Sequence, residues 1–258
     1  MRILATAALL VPAAVAFAAG SPFDGTWKAR LDSIKMSGKP DVWQIADGEF
    51  TCSSCVPALK VKADGAMHKV AGHAYYDEIS VHVISATSVE MTQKQAGKVG
   101  GSVTYTVSAD GKTLSGKFTD NSGATTVTGS FTETRVAAGA PGSHAISGSW
   151  QQTAMGDLSD AGRTVVYESS GDHFHMQANG VHYDAKFDGK EYPVEGDPGH
   201  TLVTLKKIDA NTIEEIDHRQ GKVADEIRLA TSADGKSLTI TDKDVLHDQT
   251  STMTLDKQ

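Results

Sequence analysis

Ser108-Ala109-Asp110-Gly111-Lys112-Thr113-Leu114 returns as Ser232-Ala233-Asp234-Gly235-Lys236-Ser237-Leu238, and this recurrence decides the fold. The same register links other segments. Gly97-Lys98-Val99 returns as Gly221-Lys222-Val223, and Val61-Lys62-Ala63-Asp64-Gly65 matches Ala185-Lys186-Phe187-Asp188-Gly189, each 124 positions on. Gly25-Thr26-Trp27 and Gly148-Ser149-Trp150 stand 123 apart, which places a one-residue gain near Gly48. A register held over so much chain marks an internal duplication. Around the repeated turn, apolar residues alternate with polar ones: Ile79, Val81 and Val83 against Ser80 and His82, and Val103, Tyr105 and Val107 against Ser102, Thr104 and Thr106. Period two is the strand signature. Turn pairs such as Asp47-Gly48, Asp64-Gly65 and Asp110-Gly111 separate the runs, giving short strands joined by tight hairpins. No long helical pattern interrupts them. A meander of this length with no helix to cover it has to curl and close, because open edges invite aggregation. The sequence thus predicts an all-β chain of two tandem antiparallel meander barrels. Residues 22–136 form the first and 146–258 the second, with the small-residue stretch 137–145 as linker.

The N-terminus reads differently. Arg2 precedes a short apolar run, and Ala16-Phe17-Ala18 fits a small-x-small cleavage site, so residues 1–18 read as a secretory signal peptide. The expected location is exported, either periplasmic or extracellular. The run is short for a bilayer span, carries Pro12, and is followed by no second one, so a soluble chain that does not span a membrane is expected. The formal charge is −8, and no Lys/Arg cluster offsets it, which argues against nucleic acid as a partner.

Gly25-Thr26-Trp27 and Gly148-Ser149-Trp150 each open a copy at its first strand. A Gly-x-Trp at that place resembles the calycin superfamily of lipocalin and fatty-acid-binding-protein barrels. In those barrels the Trp plugs the floor beneath a basic residue from the last strand. The resemblance makes Arg135 the partner of Trp27 in the first copy and Lys257 the partner of Trp150 in the second. A cation over an indole is worth about 0.5–2 kcal/mol. The resemblance further implies a small, often hydrophobic, ligand inside the barrel. That step rests on fold analogy.

The copies differ where they should face inward. Val83, Met91, Val107 and Phe118 have Lys207, Glu215, Thr231 and Asp242 as counterparts, while Tyr105 becomes Leu229. Buried charge is costly unless paired or serving a ligand. Either Lys207, Glu215 and Asp242, with Tyr105, mark ligand-binding positions, or a one-residue slip turns the charged side chains to solvent. Cys52-Ser53-Ser54-Cys55 is expected to close as a structural disulfide in an oxidising compartment, not as a redox pair. His173, His175 and His182 could gather on one face of a hairpin around Asn179-Gly180 and hold zinc or copper. The opposite, apolar face of that hairpin reads as the inward one, so the histidines are expected to face water and no metal is assigned. No nucleophile elbow, phosphate loop, zinc-protease helix or dinucleotide fingerprint occurs, and no cofactor is expected. The expected function is binding of an unidentified small molecule. The alternatives are a structural or interaction module of the cell envelope whose protein partner the sequence does not name, and an enzyme acting inside the second barrel. A real cavity would separate the first and last from the module, and carboxylates converging within it would favour the enzyme.

Overall fold

The computed structural model describes residues 20–258, so the signal peptide predicted for residues 1–18 lies outside the described residues. The first copy supplies β1 (Gly25–Ala29), β2 (Lys35–Gly38), β3 (Asp41–Ala46), β4 (Glu49–Cys52), β5 (Leu59–Lys62) and β6 (Asp64–Lys69). It continues with β7 (Glu78–Ser85), β8 (Ser88–Gln95), β9 (Lys98–Val107), β10 (Thr113–Asp120) and β11 (Val127–Ala138). The second supplies β12 (Gly148–Leu158), β13 (Thr164–Ser170), β14 (His173–Ala178), β15 (Val181–Lys186) and β16 (Tyr192–Pro193). After these come β17 (Leu202–Lys207), β18 (Thr212–Arg219), β19 (Lys222–Thr231), β20 (Ser237–Asp244) and β21 (Gln249–Lys257). Every ladder is antiparallel, and the chain is all-β with two nearly closed barrels, as the alternation and turn spacing predict. Two-residue turns set the hairpin registers. At Asn179-Gly180 both residues have positive φ, 41° and 90°, the twist that matches paired strands.

The chain does not divide at the predicted linker. One sheet runs β5-β4-β3-β12-β11-β10-β9-β8-β7-β6, and the other runs β15-β14-β13-β1-β21-β20-β19-β18-β17-β16 with β2 also on β21. Each copy's first strand therefore completes the other copy's barrel. The first barrel is continuous from Asp41 to Leu158, and it is inserted into a second barrel built from Gly25–Gly38 and Thr164–Lys257. Ranges 22–136 and 146–258 are corrected accordingly. The stretch 137–145 is no interdomain linker: Ala137 and Ala138 end β11, and the rest turns the chain into β12, its neighbour in the same sheet. The chain crosses between barrels only before β3 and after β12.

The cores follow the sheets. Phe23, Trp27 and Ala29 from the first copy pack with Tyr167, Phe174, Tyr183, Leu205, Leu229 and Leu255 from the second. Ile146 and Trp150 pack with Trp43, Phe50, Val81, Val89 and Leu114. Both indoles are fully buried, and each Nε1 donates to a backbone carbonyl four residues back: Trp27 to Phe23 and Trp150 to Ile146, both at 2.7 Å. The cation pairs are crossed relative to the sequence reading. Arg135 lies 3.9 Å over Trp150, and Lys257 lies 5.2 Å from the Trp27 ring. The physical reason is the strand exchange: Arg135 pairs with Trp150 across β11 and β12, and Lys257 pairs with Trp27 across β21 and β1. The glycine of the motif has a role here as well. Gly25 and Gly148 hold φ of 129° and 134°, and a Cβ at Gly148 would meet the Ala137 carbonyl and the Arg135 guanidinium.

Candidate functional site

Each barrel has its Trp floor at one end. At the opposite end the two barrels meet. The β10–β11 turn of the first barrel docks on the β14–β15 turn of the second through Ala124 N to Asn179 O at 2.9 Å and Asn179 Nδ2 to Thr125 O at 2.9 Å. Tyr75 from the first copy lies 5.4 Å beneath the Arg219 guanidinium. Two cavities flank this junction, of about 700 and about 660 Å³, and Phe118, Asp120 and Ser122 line both. Both are within the range of ordinary small-molecule sites.

The second barrel's cavity carries the chemistry. Leu205, Glu215, Ile227 and Asp242 form one row across β17 to β20, and Val203, Asp217, Asp225 and Asp244 form the row two residues nearer the junction. The period-two alternation puts both rows on the barrel's inner face. Glu215 is 7% exposed, and the Tyr183 hydroxyl donates to its Oε2 at 2.6 Å. Burial pushes the Glu215 carboxyl up to about 7, with Asp242 adding repulsion and the Tyr183 hydrogen bond opposing. Burial pushes Asp217 up to about 8, reinforced by Glu215. Asp242 is also raised by burial, then by Asp244. One oxygen each of Asp217 and Asp242 is buried with no hydrogen-bond partner. The nearby cations are engaged: Arg219 pairs with Asp225, and His247 Nδ1 meets Asp244 Oδ2 at 2.6 Å. Glu215 and Asp217 line the cavity, whose other walls include Met155, Met176, Ile227, Leu229, Ile240 and Met253.

The first barrel's cavity is built differently. Tyr105, Met91, Val103, Gln93, Gln95 and Lys98 line it, and Trp43 packs edge-on to Tyr105 at 4.9 Å. Glu133 lies inside this barrel at 3% exposure with Oε2 unpartnered; burial pushes it up to about 8, with Asp41 adding repulsion.

The four ligand-binding positions read from the sequence do not form one group. Glu215 and Asp242 share a row in the second barrel, Tyr105 belongs to the first barrel, and Lys207 is exposed at the end of β17. Lys207 follows the inward parity of Val203 and Leu205 but overruns the barrel's end, where a cation reaches water. Cys52 and Cys55 are disulfide-bonded. His173 is held by Asp184 at 2.8 Å on the outer side of its hairpin, and the His175 and His182 rings lie 6.1 Å apart. Among the described residues no group of three or more His, Cys, Asp or Glu is arranged to hold a metal. Sequence reasoning missed Asp217, Tyr183 and Met155. Asp217 was accessible, because it stands two residues from Glu215 and so shares its face. Tyr183 needed the barrel to close before it could meet Glu215, and Met155 needed the long β12 to reach the other barrel.

Comparison of the chain with family models, curated proteins and solved structures returns no match.

Proposed function

We propose that this is an exported small-molecule-binding protein of calycin-like design that holds its ligand in the second barrel. The observation that carries the reading is the cavity of about 660 Å³ whose mostly apolar wall contains Glu215 and Asp217. A few polar groups set in an apolar, concave wall are the usual composition of a small-molecule site. The Gly-x-Trp floors with their overlying cations support the calycin likeness, and Met1–Ala18 supports export. Among the described residues no helix is long and apolar enough to cross a membrane. Native mass spectrometry of protein purified from its exported compartment, before and after denaturation, tests the reading. A stoichiometric co-purifying small molecule is expected, absent from a variant in which Met176→Trp fills the cavity. Failure of any small molecule to bind, with the interior Trp variant indistinguishable from wild type, would remove the reading.

The convergence of Glu215 and Asp217 favours acid–base catalysis as a second reading. Carboxyls held at about 7 and about 8 can take up and release protons near neutrality. Incubating the co-purified molecule with fresh protein separates the two readings: a carrier returns it unchanged, and an enzyme converts it.

A further inference from the structure

The interior of the second barrel has more acid than it has cation to meet it. Five carboxyls stand in its two inner rows near the junction: Glu215, Asp242, Asp217, Asp225 and Asp244. Arg219 pairs with Asp225 and His247 with Asp244; Arg219 also attracts Asp217 and Asp242 at longer range, but Glu215, Asp217 and Asp242 form no ion pair of their own. Tyr183 from β15 supplies one hydroxyl to Glu215, but a hydroxyl carries no charge. Tyr167 on β13, Tyr75 and Asp197 before β17 also face the cluster and none is a cation, while of the other charged residues on the cavity wall Asp120 is an acid and Arg163 is paired with Asp160. Nor does the barrel frame require these acids. The corresponding positions of the first copy are Met91, Gln93 and Phe118, in a barrel that closes equally well. Two of the carboxyls reach the cavity wall, the oxygen left over on Asp217 is wholly buried, and apolar side chains make up most of the opposite wall.

We propose that the second barrel selects a hydrophobic cation: an apolar body along Met155, Met176 and Met253, with a positively charged nitrogen against Glu215 and Asp217. The inference rests on the reading of this cavity as a small-molecule site. A desolvated carboxyl without a partner is unfavourable, and a cation delivered by the ligand removes that penalty only when it enters. A neutral ligand of the same body gains the apolar contacts alone. An anion meets repulsion.

Titration calorimetry of the full mature chain with octyltrimethylammonium, 1-octanol and octanoate, all below their micelle concentrations, tests this. The three share one tail and differ in head charge. Octyltrimethylammonium is expected to bind at least about tenfold more tightly than 1-octanol, with octanoate weakest. The preference should grow from about pH 6 to about pH 9, because the acids facing the head must lose their protons to attract it. Replacing Glu215→Gln and Asp217→Asn together should abolish the preference while octanol binding persists. The pH series on the unaltered chain gives the same information without relying on that variant's folding. Equal binding of all three probes, or cation binding that weakens as pH rises, overturns the cation proposal and leaves the cavity reading standing. Binding of none of the three overturns both.

Discussion

The two barrels share their meander order and a buried Trp beneath a cation at the floor, yet their interiors carry charge in different amounts and places. In the first, Glu133 sits deep beneath Tyr105, and the junction end is lined by Met91, Gln93 and Phe118. In the second, the equivalents of those three positions are Glu215, Asp217 and Asp242. The floors differ too. Arg135 donates to the carbonyls of Gly111, Ser147 at 2.6 Å and Ala145 at 2.6 Å, whereas Lys257 makes a longer approach to Trp27. A closed antiparallel sheet takes its stability from ladders and from the packed half of each barrel, so inner positions beyond the packed half are free to diverge. The gain of acid at the junction end of the second barrel, where the first has Met91, Gln93 and Phe118, is the feature that points to function.

Four measurements test this contrast. The largest effect is expected from Trp27→Ala, a fully buried side chain whose truncation costs about 3–5 kcal/mol. Because Trp27 belongs to the core of the second barrel, hydrogen exchange should accelerate over Thr164–Lys257 while Asp41–Leu158 stays protected. Loss of protection in Asp41–Ala138 instead would mean that β1 completes its own copy.

Next comes pH. Glu133, Glu215 and Asp217 titrate at about 8, about 7 and about 8 when folded, above their unfolded values. The folded protein therefore holds more protons than the unfolded chain through neutrality. The stabilisation is complete below the unfolded values and is lost as pH rises through about 7 to 8. His247, raised by its hydrogen bond to Asp244, acts in the same direction. Tm should fall steadily between about pH 5.5 and about pH 8.5. Glu133→Gln should remove the first barrel's share of that slope, and an unchanged slope would mean that Glu133 is already ionised.

Arg135→Ala should cost about 2 kcal/mol, since it removes the indole contact and hydrogen bonds to buried-end carbonyls. A double-mutant cycle should show coupling of Arg135 to Trp150 and none to Trp27. The smallest effect belongs to Lys257→Ala, about 0.5–1 kcal/mol, with its coupling confined to Trp27. Reversed couplings would restore the uncrossed pairing.

Much of this protein is legible along the chain. The 124-residue register, the period-two runs and the glycine turns establish two all-β units, because strand periodicity and turn chemistry are local properties. The inward placement of Glu215 and Asp242 follows from the same alternation, once the register holds. Cys52 and Cys55, three residues apart, needed only a turn to meet. Which barrel each Gly-x-Trp strand would complete was not legible. Gly25-Thr26-Trp27 and Gly148-Ser149-Trp150 offer the same side chains to either sheet, so local chemistry is degenerate between the two pairings. Closure of the sheets, with β12 beside β11 and β1 beside β21, resolves it. The meeting of Tyr183 with Glu215, the reach of Met155 into the second barrel and the junction that places two cavities side by side have the same origin. Each depends on strands distant in sequence being brought together, and only the closed tertiary structure does that.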